Sequence, residues 1–221
     1  MFKNPSPISR FPRRPLAGLV LMTVLPLIGC ASIGSNELRD EIRSYSSTAR
    51  YRVHTHFINS PLDVPQVGRL GSVAAFFRGS GLKNTRYHLT TSGNLLATQI
   101  RQTRSEDPHA RIALVGWSGA SLWVWDALNH LSDTGEKVDL IVYLDSNWIK
   151  QRVAERGHPN NLARALLIYR INNPPVTKVP NSTVTIIPTM NHLAVAAHPV
   201  SVRTIGRALI DLLLDQPNLS R

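Results

Sequence analysis

Residues 138–144 read VDLIVYL, and both faces that alternate along this run are apolar. A strand of that kind must be covered on two sides, as in parallel sheets packed between helices. Residues 111–115 (RIALV) repeat the pattern, and 184–188 (VTIIP) give a shorter version of it. The segment 51–58 (YRVHTHFI) is β-branched and aromatic and stops at the turn signal Asn59-Ser60-Pro61, while 84–90 is a further short strand. Between these runs the apolar spacing becomes helical. It does so at Val67, Leu70, Val73 and Phe77, over 94–103, at Ala120, Trp123, Val124, Ala127 and Leu131, and at Val202, Ile205, Leu209 and Leu212. Strand and helix thus alternate. With right-handed crossovers this predicts an α/β fold, a doubly wound, mostly parallel sheet of five or six strands with helices on both faces. Residues 150–178 fit neither period, and 162–169 suits helix or strand equally.

The length of 221 residues and an apolar content of 43% suit one ordered domain. The net charge of +11 is partly a property of the first 29 residues, where Lys3, Arg10, Arg13 and Arg14 face no acid; the rest carries +7. Those charges are dispersed and no aromatics interleave with a basic stripe, so a nucleic-acid partner is not expected. Residues 16–28 (LAGLVLMTVLPLI) are too few to span a bilayer but suit the hydrophobic region of a signal peptide. The run ends in Leu27-Ile28-Gly29-Cys30, which resembles a bacterial lipobox. Cys30 is the sole cysteine, which excludes a disulfide framework and a cysteine-based zinc site. The resemblance implies cleavage before Cys30, diacylglycerol on its thiol, and a membrane-anchored protein of the cell envelope, on the outer membrane if the cell is Gram-negative. An ordinary signal peptide or short anchor with an incidental cysteine is the alternative. The expected organisation is a signal peptide over 1–29, a lipidated cysteine and polar tether over 30–49, and one domain over 50–221. A short helix around Leu38, Ile42 and Tyr45 could interrupt the tether.

Gly116-Trp117-Ser118-Gly119-Ala120 joins the 111–115 strand to the helix that follows. So sharp a turn needs small residues two before and two after the serine, and it lifts the hydroxyl above the sheet edge at a helix N-terminus. The segment resembles the nucleophile elbow of the α/β-hydrolase superfamily, with Ala120 where the commonest pattern has glycine. The resemblance makes Ser118 the candidate nucleophile. A strand–turn–helix that needs glycines only for packing would give the same letters.

A serine needs a base, and the base a carboxylate to orient it. The order implied by the resemblance is serine, acid, histidine. Asp126 falls within the helix after Ser118, Asp133 and Glu136 in the next loop, Asp139 at the wrong end of its strand, and Glu155 further on. Asp145 follows VDLIVYL directly, at the carboxyl end where open α/β sheets place their sites, and is the candidate acid; its other reading is a cap for the next segment. Among eight histidines, His192 follows the last strand by a short turn and is the candidate base, with His198 as rival. His54 and His56 share a strand face without further ligands, so no metal or cofactor is expected. The oxyanion hole implied by the resemblance takes the backbone N–H of Gly119 and one from Asn59 or Ser60, since Pro61 has none.

These readings predict a serine hydrolase that cleaves an ester or thioester through Ser118, His192 and Asp145. The resemblance covers roughly 51–214 and leaves no room for a cap domain, implying an open site and a small or lipid-like acyl substrate. The competing reading is a hydrolase-fold lipoprotein without turnover, acting as a binding or scaffold module.

Overall fold

A computed structural model describes residues 34–215. The leader, Cys30 and the lipidation expected there lie outside the described residues. The sheet has six strands: β1 (Val53–Ile58), β2 (Thr85–His88), β3 (Arg111–Trp117), β4 (Val138–Leu144), β5 (Leu162–Arg170) and β6 (Ser182–Ile187). All neighbours are parallel, in the order β2-β1-β3-β4-β5-β6. The seven helices are α1 (Asn36–Ser44), α2 (Ser47–Arg52), α3 (Leu70–Gly79), α4 (Gly93–Glu106), α5 (Ser121–Ser132), α6 (Lys150–Arg156) and α7 (Pro199–Leu214). The expected doubly wound α/β fold is present.

Alternation along each strand divides the core in two. Val53, Phe57, Ala113, Val115, Leu140 and Val142 face one apolar layer under α1, α2, α3 and α7. Ile58, Ile112, Leu114, Ile141 and Tyr143 face the other, under α4, α5 and Ile149. Both sides of β4 are sealed, as its two-faced apolar run demands. The strand order reverses between β1 and β3, so the loops leaving these two strands diverge and open a crevice at their carboxyl ends.

Three local readings change. Residues 36–49, expected as tether with room for a short helix, and Tyr51–Arg52, expected to open the first strand, form α1 and α2, capped by the Ser35 and Ser46 side chains. Their Leu38, Ile42, Tyr45 and Ala49 are buried in the first core layer. Val67, read as helical, lies in a loop that ends at Arg69. There buried Asp63 accepts the N–H groups of Val67 at 2.7 Å and Gly68 at 3.1 Å, and so delays the helix to Leu70. The ambiguous 162–169 is strand β5, and the chain returns from β5 to β6 without a helix.

Candidate active site

Three strand ends and one loop build the site. After β3 the chain turns through a short 3-10 helix, Ser118–Ala120, in which Ser118 has φ of 54°. A left-handed non-glycine residue costs about 1–2 kcal/mol, so the turn must be held by its surroundings. Ser146 Oγ donates to the Ser118 carbonyl, which leaves Ser121 Oγ as the donor to Ser146 Oγ. The Tyr169 hydroxyl donates in turn to the Ser146 carbonyl; burial raises the pKa of this phenol, keeping it a donor. Small residues serve the turn as expected. A Cβ on Gly116 would lie 2.9 Å from Val124 Cγ2, and one on Gly119 only 3.1 Å from Pro61 Cδ. The loop after β1 therefore touches the residue after the serine. Ala120, fully buried, fits the position where the commonest elbow has glycine.

Asp145 directly follows β4 and is also left-handed, with φ of 43°. Its side chain is fully buried, and both oxygens are engaged. His192 Nδ1 donates to Oδ2 at 2.5 Å, Asn173 Nδ2 donates to Oδ1 at 2.8 Å, and Arg170 Nε makes an ionic contact with Oδ2 at 2.7 Å. The Arg170 contact is close but poorly aligned as a hydrogen bond. Burial on its own would raise the Asp145 pKa. The His192 and Asn173 hydrogen bonds, with the Arg170 charge, outweigh it and hold the carboxyl below its ordinary value.

His192 opens a 3-10 turn, His192–Ala194, after β6. Asn191 caps that turn by accepting the Leu193 N–H at 2.9 Å, and Arg170 Nη1 donates to the Met190 carbonyl at 3.0 Å. One guanidinium thus touches both the acid and the loop that carries the imidazole. With Nδ1–H committed to Asp145, Nε2 is the ring's acceptor. The ring stacks on Trp117 at 5.2 Å between centroids. Ser118, His192 and Trp117 line one cavity of about 290 Å³, together with Ser60, Leu62, Asp63 and Leu193. Among the described residues, neither Ser118 Oγ nor His192 Nε2 has a hydrogen-bond partner, so the two face the cavity unlinked.

Of the expected oxyanion donors, Asn59 is corrected. Its N–H is spent on the His88 carbonyl at 2.9 Å as the last rung of the β1–β2 ladder. Its side-chain amide donates to the Asp63 carbonyl at 2.9 Å. Ser60 lines the cavity and its N–H makes no hydrogen bond among the described residues. His198, the rival base, instead caps α7 by accepting the Val200 N–H. His56 stacks on His88, with Nδ1 and Nε2 3.0 Å apart. Among the described residues no three His, Cys, Asp or Glu side chains form a group fit for a metal ion. Arg170, Asn173 and Ser146 escaped the sequence reading. The first two lie where periodicity was ambiguous, and their only signal is position just after a strand's carboxyl end.

Comparison of the chain with protein-family models, curated proteins and solved structures finds no match in any of the three.

Proposed function

We propose that the protein is a serine hydrolase of the α/β-hydrolase kind, acting on an ester or thioester through an acyl-enzyme. The observation that carries this reading is a left-handed serine at a strand-to-helix turn, sharing one cavity with an imidazole whose other nitrogen is held by a buried carboxylate. As substrate enters, Ser118 Oγ and His192 Nε2 come within hydrogen-bond reach, a closure that resting active sites commonly leave unmade. Oγ attacks the carbonyl carbon while Nε2 takes its proton. Asp145 stabilises the imidazolium, and the Gly119 and Ser60 N–H groups receive the developing oxyanion. The imidazolium returns its proton to the departing alcohol or thiol. Water, deprotonated by the same nitrogen, then releases the acid and restores Ser118.

The cavity, about 290 Å³ and lined by Leu62, Val67, Trp117 and Leu193, suits a small apolar acyl group or the end of a longer one. We also propose that the leader is cleaved before Cys30 and that the lipidated protein resides in the cell envelope. The unlinked Ser118 and His192 are the observation that favours the alternative, a hydrolase-fold binding module without turnover. Intact mass after incubation with a fluorophosphonate decides between them. The chain from residue 31 is expected to gain one adduct, and Ser118→Ala none. A folded wild type that stays unmodified would overturn the hydrolase reading.

A further inference from the structure

Apolar side chains are left in water very unevenly. Nine of the fourteen exposed large apolar residues among those described lie in the loops that leave the carboxyl ends of the strands. Leu62, Val64 and Val67 come from the loop after β1, Trp148 from the one after β4, and Met190 and Leu193 from the one after β6. Leu62, Val67 and Leu193 line the cavity that holds Ser118 and His192, and Trp148 lies beside Gly119. Leu62 is 73% exposed, Met190 69% and Trp148 51%. Exposed apolar groups gathered on one end of a molecule mark a contact surface.

Charge identifies what that surface meets. In the loops 59–69, 89–92, 145–149, 171–181 and 188–198 the only carboxylates are Asp63 and Asp145, and both are buried. The exposed charges there and at the start of α6 are Arg69, Lys178, Lys150 and Arg152. Exposed acids such as Glu106, Asp133 and Asp215 lie instead toward the opposite, amino edge of the sheet, while Glu155 stands among the cations of α6 and Glu37 shares a cavity with Arg203 and Arg207. An apolar rim fringed by cations complements an anionic phospholipid surface, where headgroups meet the cations and acyl chains take the apolar tips. The chain's own route agrees. Gly34 and Ser35 share a cavity with Pro199, the first residue of α7, just past the His192 loop. Cys30, where the lipid anchor is proposed, stands four residues before Gly34, a chain length of at most about 14 Å.

We infer that the carboxyl edge of the sheet is a membrane-docking face that sets the mouth of the Ser118 cavity on an anionic phospholipid surface. The inference concerns the surface and holds whether or not Ser118 is acylated. Docking immerses Leu62, Leu193 and Trp148 at the level of the headgroups and upper acyl chains, with Lys150 and Arg152 against the phosphates. A lipid-borne acyl ester would then enter the cavity without crossing water.

Trp148 reports this directly, because Trp117 and Trp125 are buried and Trp123, half-buried on α5, packs against the second core layer. The full chain is bound to vesicles of phosphatidylcholine, alone or with phosphatidylglycerol, whose acyl chains carry bromine near the headgroup. Flotation establishes that the chain is bound in each case. Tryptophan emission is expected to be quenched more with phosphatidylglycerol, and the extra quenching to vanish in Trp148→Phe. Replacing Lys150 and Arg152 with alanine should cut the ratio of docked to undocked chains about 30-fold, and Leu62→Asp with Leu193→Asp should abolish the quenching. Bound chains whose Trp148 is equally quenched with and without anionic lipid, or not at all, overturn the inference. So does a lipid-free, concentration-dependent blue shift of Trp148, which would assign the rim to a second copy of the chain.

Discussion

Strand β4 carries an aspartate near its amino end and another just past its carboxyl end, and the two are put to opposite uses. Asp139 receives Arg104 at 2.8 Å, Arg111 at 3.0 Å and the Ile112 N–H at 2.7 Å. Two guanidinium groups and a backbone amide thus clamp α4, β3 and β4 together. Asp145 is equally saturated, but one of its donors is an imidazole that can change charge. The backbone marks the same division, since Asp145 is left-handed and Asp139 sits in regular strand. A carboxylate saturated with donors is therefore not itself the mark of a site. The mark is a buried carboxylate with one titratable partner, on a turn whose strain something else must hold.

The largest expected effect separates the two in turnover. Asp145→Asn should lower kcat on any ester that acylates Ser118 by about 10⁴-fold, because the amide no longer fixes the Nδ1–H tautomer. A variant within tenfold of wild type would mean that the imidazole is oriented by something else. Asp139→Ala should reverse the balance. It leaves two guanidinium groups without their carboxylate, at a cost of about 3 kcal/mol in urea unfolding, while kcat of the folded protein stays at the wild-type level. Loss of kcat at unchanged stability would erase the distinction between the two ends.

A smaller effect tests whether either aspartate governs acid sensitivity. Asp145 has a lowered pKa, so its contribution to stability is complete above the ordinary carboxyl value and is lost only as pH falls through the folded one. His56 acts earlier. Burial first, then the charges of His88, Arg86 and His54, lower it to about 3. Between pH 6.5 and that value the unfolded chain takes up a proton that the folded one refuses, so stability falls as pH drops. One such group gives at most about 1.4 kcal/mol per pH unit. His54, His88 and His158 are lowered as well, so His56→Asn should make the slope shallower rather than flat. An unchanged slope in urea titrations across that window would return acid sensitivity to the carboxylates.

Ser118, Asp145 and His192 could be picked out from the chain because each stands immediately after, or a short turn beyond, an apolar run whose end is plain in the letters. Their supports could not. Arg170 ends β5, a strand whose pattern also suits a helix, and Asn173 follows it; neither reveals its partner until β4 and β5 are paired. Asn59 looked as good a donor as Ser60 because only the pairing of β1 with β2 shows that its N–H is taken by His88. Leu38, Ile42, Tyr45 and Ala49 do recur at helical spacing, but the core they join is built from distant segments, and Leu38 packs on Gly206, most of the chain away.

That separation has a consequence in time. Leu38 of α1 rests on Gly206 of α7, and Arg207 pairs with Glu41 across 166 positions of sequence. A ribosome adding about 5–20 residues per second needs roughly ten to thirty seconds to make the second partner after the first. For that interval α1 has only its early neighbours, Phe76 and Gly79 of α3, which Arg39 and Arg43 reach. The face that carries Leu38 waits for α7, and the domain is completed only when its far end arrives.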